Sequence, residues 1–482
     1  MKLSQVVFKG IQWSSISQFG RQLVQYVTTI ILANILSPND FGLLAMALVV
    51  TGFIEIFKDL GTSSALIHLN EVNQELISSI FWVNILFGTT FTLLVFLSAH
   101  LISLFFNSND IIPVLQVISI LFFISSFSIL PKAVLERNLQ FNKLAKIEII
   151  STVIGAAVGI SMAFLDYGVW SLIFQILVNN FVLTVLILIV GKIKPNFRIS
   201  FIALKSVSNY SLNLVGYNIF NYFVRNADYM LIGKYIGENQ LGNYYLAYKI
   251  MLYPLQGITM VISRVLFPIY SRLKEDLKKF KEIYLKTTNT IALFTFPMMI
   301  GMIVLSNFFV STFFSKSWDS DLLTELIIIL APVGLIQSIA ATVGTIYMST
   351  GKTNWMFGWG ILSGIVTIIG FFVGLHWGVI GVAFSYLLVT LILLYPVFYV
   401  PLKIIKLSYL TFFRNFEKIL AASLIMFGIL YMIKVLFLEG FNYLPGLVIL
   451  LVLGVFFYSI LLMIIDRDNI YGLIRFIREN YI

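Results

Sequence analysis

The chain has 482 residues, 59% hydrophobic and only 11% charged, with a mean hydropathy of +0.95. No water-soluble domain of this size needs so much apolar surface, so the composition excludes a soluble globular protein and places the chain in a membrane. Zero cysteines remove disulfides, iron–sulfur clusters and thiolate metal sites, and with only His68, His100 and His376 no histidine metal centre is expected.

The N-terminus, MKLSQVVFKGIQWSS, carries lysines but no short apolar core followed by a small-residue cleavage site. It reads as a cytoplasmic end running into the first helix rather than a signal peptide. Apolar runs of about 20 residues follow, the length of a membrane helix and too long for a barrel strand. About 14 transmembrane helices are expected. The first six lie near 11–36, 41–66, 77–105, 111–131, 144–165 and 169–191, and the next six near 206–236, 242–268, 287–314, 322–349, 355–375 and 378–402. Two more lie near 418–437 and 444–465.

Charge asymmetry supports this order. Connections with even numbers, and both ends, collect most of the Lys and Arg, whereas connections with odd numbers hold Lys234, Lys316 and Lys434. Basic residues stay in the cytoplasm, so both termini are expected there. The net charge of +10 is then leaflet anchoring, with no nucleic-acid partner implied.

One stretch occurs twice. Gln18 to Met46 reads QFGRQLVQYVTTIILANILSPNDFGLLAM, and Asn218 to Leu246, 200 residues on, reads NIFNYFVRNADYMLIGKYIGENQLGNYYL. Gln18 falls on Asn218, Arg21 on Asn221, Gln22 on Tyr222, Gln25 on Arg225 and Gly42 on Gly242. Offsets of three, four and seven place each polar set on one helix face. Tyr167-Gly168-Val169 is echoed by Trp377-Gly378-Val379 at an offset of 210. Six helices separate the copies, so the copies share an orientation, and duplication of this kind marks transporters. The expected architecture is an all-α polytopic membrane protein. An N-lobe of helices 1–6 (residues 1–191), a cytoplasmic linker (192–205) and a C-lobe of helices 7–12 (206–402) precede helices 13 and 14 with a cytoplasmic tail (403–482). The two six-helix lobes are expected to be related by a pseudo-twofold axis along the membrane normal, with a cleft between them.

Charges at membrane depth cost roughly 2.5–3.5 kcal/mol each on insertion scales and seldom face lipid. Those expected here are Arg21, Glu55, Lys58 and Asp59 in the first lobe and Arg225, Asp228 and Lys249 in the second, all on helices 1, 2, 7 and 8. That concentration points to one shared cavity. Arg21, Arg225, Lys58 and Lys249 suit an anionic headgroup, because the planar guanidinium fork grips phosphate with two parallel bonds. The plain alternative is structural ion pairing, Glu55 with Lys58 and Arg225 with Asp228, each at i,i+3. Arg21 has no carboxylate one turn away on its own helix, which favours a functional role. Asp59 and Asp228 are candidates for a coupling proton or cation. Gln18, Gln22, Gln25, Asn218, Asn221 and Tyr222 offer hydrogen bonds suited to sugar hydroxyls, although polar groups that merely join helices are common.

The remaining motifs are structural. Four basic amphipathic segments, at 132–146, between helices 8 and 9 (Leu273, Leu277, Phe280, Tyr284), at 403–416 and at 472–482, are expected to lie on lipid headgroups. Gly155/Gly159, Gly360/Gly364 and Gly370/Gly374 permit close helix packing. Pro254, Pro268 and Pro297 are candidate kinks. Gly351-Lys352-Thr353 has Ile346 where a phosphate loop requires glycine. No nucleophile–base pair or catalytic carboxylate pair stands out, so no enzymatic activity, cofactor or metal is expected.

The runs ILANILSPNDFGLLAMA, ADYMLIGKYIGENQLGNYYLAYKI and LERNLQFNKLAKIEI (Leu135–Ile149) resemble the polysaccharide-transport branch of the multidrug/oligosaccharidyl-lipid/polysaccharide exporter superfamily. The Arg137–Phe141 segment is similar to the colanic-acid and teichuronic-acid exporter subgroup. The resemblance covers essentially the whole chain. It implies a flippase of the bacterial inner membrane that carries an undecaprenyl-diphosphate-linked oligosaccharide for O-antigen, capsule or exopolysaccharide. It also implies a cavity lined by helices 1, 2, 7 and 8, with Arg21 and Arg225 at positions suited to the diphosphate. The partners implied are the lipid-linked oligosaccharide, membrane lipids and a coupling proton or sodium ion, with the protein acting as a monomer. Two rival readings remain, a cation-coupled multidrug antiporter of the same superfamily and a flippase for the peptidoglycan lipid precursor.

Overall fold

The computed structural model describes residues 3–58, 74–191, 195–196, 212–273 and 276–466, and the regular structure among them is helical. A bilayer imposes this, because a helix satisfies its backbone hydrogen bonds within one segment. The chain divides into two compact units, Met1–Tyr245 and Leu246–Ile482.

The first unit holds α1 (Leu3–Ile35), α2 (Pro38–Lys58), α3 (Gln74–Phe106), α4 (Ile111–Ile118), α5 (Ile120–Arg137), α6 (Phe141–Phe164), α7 (Val169–Gly191) and α8 (Leu212–Tyr235). It also takes the start of α9 (Glu238–Arg272). The second unit continues α9 and adds α10 (Leu277–Phe313), α11 (Ser320–Ala340), α12 (Val343–Ser349), α13 (Thr353–Gly374) and α14 (Gly378–Ile404). It ends with α15 (Tyr409–Arg414), α16 (Glu417–Phe437) and α17 (Tyr443–Ile465).

Ten helical stretches among the described residues are long and apolar enough to cross a membrane. α1, α8 and α9 are not among them. These are the helices that open the two repeats, and their polar residues dilute the hydropathy. A helix with one polar face needs protein or water along that face.

The repeat survives in the helix bounds. α1 ends at Ile35 and α8 at Tyr235, and α2 restarts at Pro38 and α9 at Glu238. Pro38 occupies the first helical position, where its missing N–H costs nothing. Ser37 and Asp40 cap α2: the Ser37 N–H and Oγ both donate to Asp40 Oδ2, at 2.9 and 2.7 Å. Gly168 and Gly378, the other echoed pair, both adopt positive φ, +54° and +69°, the first just ahead of α7 and the second as the opening residue of α14.

The two corners meet through glycine. A Cβ on Gly42 would overlap the Glu238 carbonyl oxygen, and a Cβ on Gly242 would overlap the Pro38 carbonyl oxygen. The contact is reciprocal, residue for residue, at the 200-residue offset. Neighbouring connections close around it. Ser108 Oγ donates to Glu238 Oε2 at 2.8 Å, Lys234 Nζ sits 4.5 Å above the Phe105 ring, and Asp40 Oδ1 stands 3.0 Å from where Gly168 would carry a Cβ. Four odd-numbered connections of the first unit are thereby drawn together.

Three of the segments expected on headgroups are otherwise arranged. Residues 132–146 form no separate surface helix: α5 runs on to Arg137, and α6 begins at Phe141 after a turn with Leu139 at φ +55°. Phe280 and Tyr284 are fully buried with Tyr270, Phe412 and Phe416 in an aromatic core of the second unit. The apolar face of 403–416, carried by α15, enters the same core. The apolar faces of these segments are rich in aromatic rings, which bury large areas against one another in this core. Residues 472–482 lie outside the described residues.

Gly42→Ala or Gly242→Ala is expected to lower stability by about 1–3 kcal/mol, because backbone must move to admit the methyl group. Gly428→Ala, on α16 where no atom lies within 4 Å of the added Cβ, is expected to be neutral or slightly stabilising. Thermal melting in detergent distinguishes the two cases. Equal melting temperatures for all three variants would remove the glycine crossing as a packing constraint.

Candidate functional site

The polar stripe of α1 faces α6, along which α1 packs. Gly20 allows the approach, with Ile149 Cδ1 3.2 Å from where its Cβ would stand. One turn before Gly20, at Ser17, and directly after it, at Arg21, α1 meets Glu148, which is 9% exposed. Ser17 Oγ donates to Glu148 Oε2 at 2.7 Å, and Arg21 Nη2 lies 3.5 Å from the same oxygen. Lys132 Nζ, from α5, lies 3.3 Å from Oε1. Arg21 Nη2 also donates to Gln18 Oε1 at 2.8 Å. Ser151 and Thr152 return their hydroxyls to the Glu148 carbonyl oxygen, at 3.0 and 2.7 Å, which keeps the α6 backbone satisfied at that level.

Two cations therefore surround one carboxylate, and the cluster keeps a net positive charge. Two buried donors on the same stretch of α1, Arg21 Nε and Gln22 Nε2, have no hydrogen-bond partner among the described residues. A buried donor left unmade costs about 1–3 kcal/mol, so such groups call for an explanation. Here they are free hydrogen-bonding capacity beside a basic cluster, which is what an anionic, hydroxyl-rich ligand requires. Gln25 is exposed, and its carbonyl accepts from Thr29 Oγ1 at 2.8 Å.

The second repeat uses its stripe differently. Tyr222 Oη donates to the Val49 carbonyl oxygen of α2 at 2.7 Å, lying against Gly52. The hydroxyl expected for sugar is committed to helix packing. Asn221 is half-buried and Arg225 exposed on α8. The expected Arg225–Asp228 pair does not form: Asp228 is 3% exposed and accepts from the Tyr229 N–H and Tyr244 Oη, both at 2.9 Å. Tyrosine and backbone satisfy this carboxylate in place of a cation, and the arginine is left outside. Lys249 is half-buried on α9, and Glu55 is exposed on α2. The side chains of Asn218 and Lys58, and all of Asp59, lie outside the described residues. No group of His, Asp and Glu capable of holding a metal occurs among the described residues.

The structure thus brings together Gln18 and Arg21 with three residues absent from the sequence-derived set, Ser17, Lys132 and Glu148. Arg21 does have a carboxylate partner, on α6 instead of α1. Glu148 was legible in part. It sits within the first turns of the fifth expected helix, followed by Ser151, Thr152 and the Gly155/Gly159 spacing of a tightly packed face. A carboxylate on such a face must be answered by a neighbouring helix.

Fold and site together define a polytopic α-helical membrane protein. Residues 31–322 match the model of the family described as "Polysaccharide biosynthesis protein", and the chain belongs to that family. It is 26% identical over 398 residues to the lipopolysaccharide biosynthesis protein WzxC of Escherichia coli K12, covering 81% of this chain and 80% of that protein. It is 27% identical over 437 residues to the teichuronic acid biosynthesis protein TuaB of Bacillus subtilis 168, covering 89% of each. Among solved structures, the lipid II flippase MurJ in an inward closed conformation superposes with a TM-score of 0.77 at 20% identity, over 95% of this chain and 100% of that one. An inward-facing multidrug resistance transporter of the MATE family gives 0.68 at 14% identity, over 81% of this chain and 98% of that one. These likenesses establish the fold.

Gly52→Ala is expected to destabilise the first unit, since its methyl group would meet Tyr222 Oη at 2.6 Å. Tyr222→Phe alone should cost about 1 kcal/mol. In the double variant part of the Gly52→Ala loss should return, measured as a non-additive melting shift. Strict additivity would mean that Tyr222 does not press on Gly52.

Proposed function

We propose that this protein is a flippase that moves an undecaprenyl-diphosphate-linked oligosaccharide across the bacterial inner membrane by alternating access. The repeat units of O-antigen, capsule or exopolysaccharide are the cargo class. One observation carries the reading. In a chain of the polysaccharide biosynthesis family, Arg21 and Lys132 converge on Glu148 with unused donors beside them. Arg21 takes the diphosphate through its guanidinium fork, because paired N–H groups match two phosphate oxygens. Arg225, exposed on α8 at the matching stripe, supplies a second basic contact. Gln18, Gln22, Gln25, Asn218, Asn221 and Lys249 serve the sugars and the remaining phosphate charge.

The topology follows from charge asymmetry. Both termini lie in the cytoplasm, and the end of the first unit closed by Gly42 and Gly242 faces the opposite side. The functional lobes are 1–191 and 206–402, joined by the linker 192–205 and followed by 403–482, and the working form is a monomer. Transport requires no covalent chemistry, so no catalytic role is assigned.

Asp228 supports cation coupling. It is a buried carboxylate at membrane depth whose hydrogen-bond donors are neutral groups, the arrangement in which a carboxylate exchanges a proton or sodium ion.

The experiment uses purified protein in liposomes loaded with a fluorescent undecaprenyl-diphosphate oligosaccharide, read by reagent accessibility from outside. Protein-dependent loss of leaflet asymmetry is expected. Arg21→Ala and Arg225→Ala should each slow it about tenfold or more while expression and membrane insertion stay normal. Wild-type rates in both variants would remove the diphosphate clamp. Asp228→Asn should abolish stimulation by an imposed ion gradient while downhill equilibration persists. Intact gradient stimulation would take the coupling role from Asp228. Efflux of a cationic dye without flipping would favour the antiporter reading.

A further inference from the structure

We propose that Glu148 is a positioning residue that competes with the substrate's diphosphate for Arg21 and Lys132, so that phosphate binds by displacing an internal carboxylate and leaves when that carboxylate returns. The inference rests on the flippase reading and concerns the same cations.

The geometry leaves the cations at the outer end of the ion-pair range. A buried structural pair holds through short, multiple hydrogen bonds, with charge-assisted N–H···O distances near 2.7–2.9 Å. Glu148 makes its one short bond to a neutral group, Ser17 Oγ at 2.7 Å. Its cationic neighbours stand further off, Arg21 Nη2 at 3.5 Å and Lys132 Nζ at 3.3 Å. Arg21 meets Glu148 and Gln18 through the same Nη2, and its Nε is buried without a partner among the described residues. The guanidinium therefore meets both acceptors through Nη2 and leaves Nε without one. A phosphate that displaces Glu148 from Nη2 engages Nε and Nη2 together, two parallel bonds in place of one long contact.

The three side chains come from three helices, α1, α5 and α6, so exchange of the anion alters the bond between them. While Glu148 holds both cations, α1 and α5 are tied to α6. When phosphate takes the cations, Ser17 alone ties Glu148 to α1. Exchange of one anion for another keeps both cations compensated throughout, while the displaced Glu148 carboxylate retains its hydrogen bond from Ser17.

The test measures binding of undecaprenyl diphosphate and flipping of its fluorescent oligosaccharide derivative by the full chain in lipid. Glu148→Gln keeps size and the acceptor for Ser17 but removes the competing charge. Its affinity for undecaprenyl diphosphate is expected to rise roughly tenfold and its maximal flipping rate to fall by a similar factor. A side chain that only supports the fold would lower stability and leave this opposed change in affinity and rate unseen. Glu148→Asp keeps the charge for folding but withdraws it by one methylene, and its affinity should fall between wild type and Glu148→Gln. Arg21→Ala should weaken binding, and adding Glu148→Gln to it should recover little. Wild-type affinity in both Glu148 variants, alongside weakened binding in Arg21→Ala, would overturn the competition and leave the diphosphate clamp standing. Unchanged affinity in Arg21→Ala would instead overturn the clamp, and the competition with it.

Discussion

A bilayer does not solvate charge, and this constraint decides how the first helix sits. The Glu148 carboxylate on α6 is answered by Ser17 and Arg21 from α1 and by Lys132 from α5. Gly20 lets α1 come close enough to deliver them. Once that face is fixed, the other follows by helical geometry: Ile16, Phe19, Leu23 and Val27, spaced at three and four residues, are exposed and apolar. α1 is thus too polar on average to register as a membrane helix, yet it meets the requirements of one on each side separately.

The duplication supplies a second constraint, and its two copies have diverged in what they do with it. The corner between the paired helices is retained in helix bounds and in the reciprocal seating of Gly42 and Gly242 on opposing carbonyl oxygens. Backbone packed that closely admits no side chain, so glycine persists in both copies. The polar stripe has no such restriction. In the first copy it became a charged cluster through Arg21. In the second, Asn221 and Tyr222 stand at the matching places, and the tyrosine hydroxyl joins α8 to the backbone of α2. One copy gathers charge while the other ties two helices together.

Much of the fold was legible because length and apolar content are read directly along one chain. The ends of α1 and α8 and the restarts of α2 and α9 fall where the 200-residue repeat puts them. What escaped were relations between distant segments. Arg21 seemed unpaired because its carboxylate lies 127 positions away on α6, outside any i,i+3 or i,i+4 pattern. The i,i+3 spacing of Arg225 and Asp228 leaves pairing open as an alternative, and Tyr244 forestalls that contact from the next helix. Phe280, Tyr284 and Phe412 read as one side of amphipathic surface segments, because periodicity shows that a face is apolar but not whether lipid or protein covers it.

The net charge of the cluster bears on how a carrier differs from a receptor. A receptor gains from every added cation, since tighter binding is its purpose. A carrier must release its cargo on the far side, and an anion held by uncompensated arginine and lysine in a medium of low dielectric would leave slowly. A resident carboxylate between the cations lowers that affinity without changing the shape of the fork. The same carboxylate lets the cations persist at membrane depth between cargoes at little cost in stability. Glu148 therefore satisfies two demands with one side chain, and a sequence search for basic residues alone passes over it.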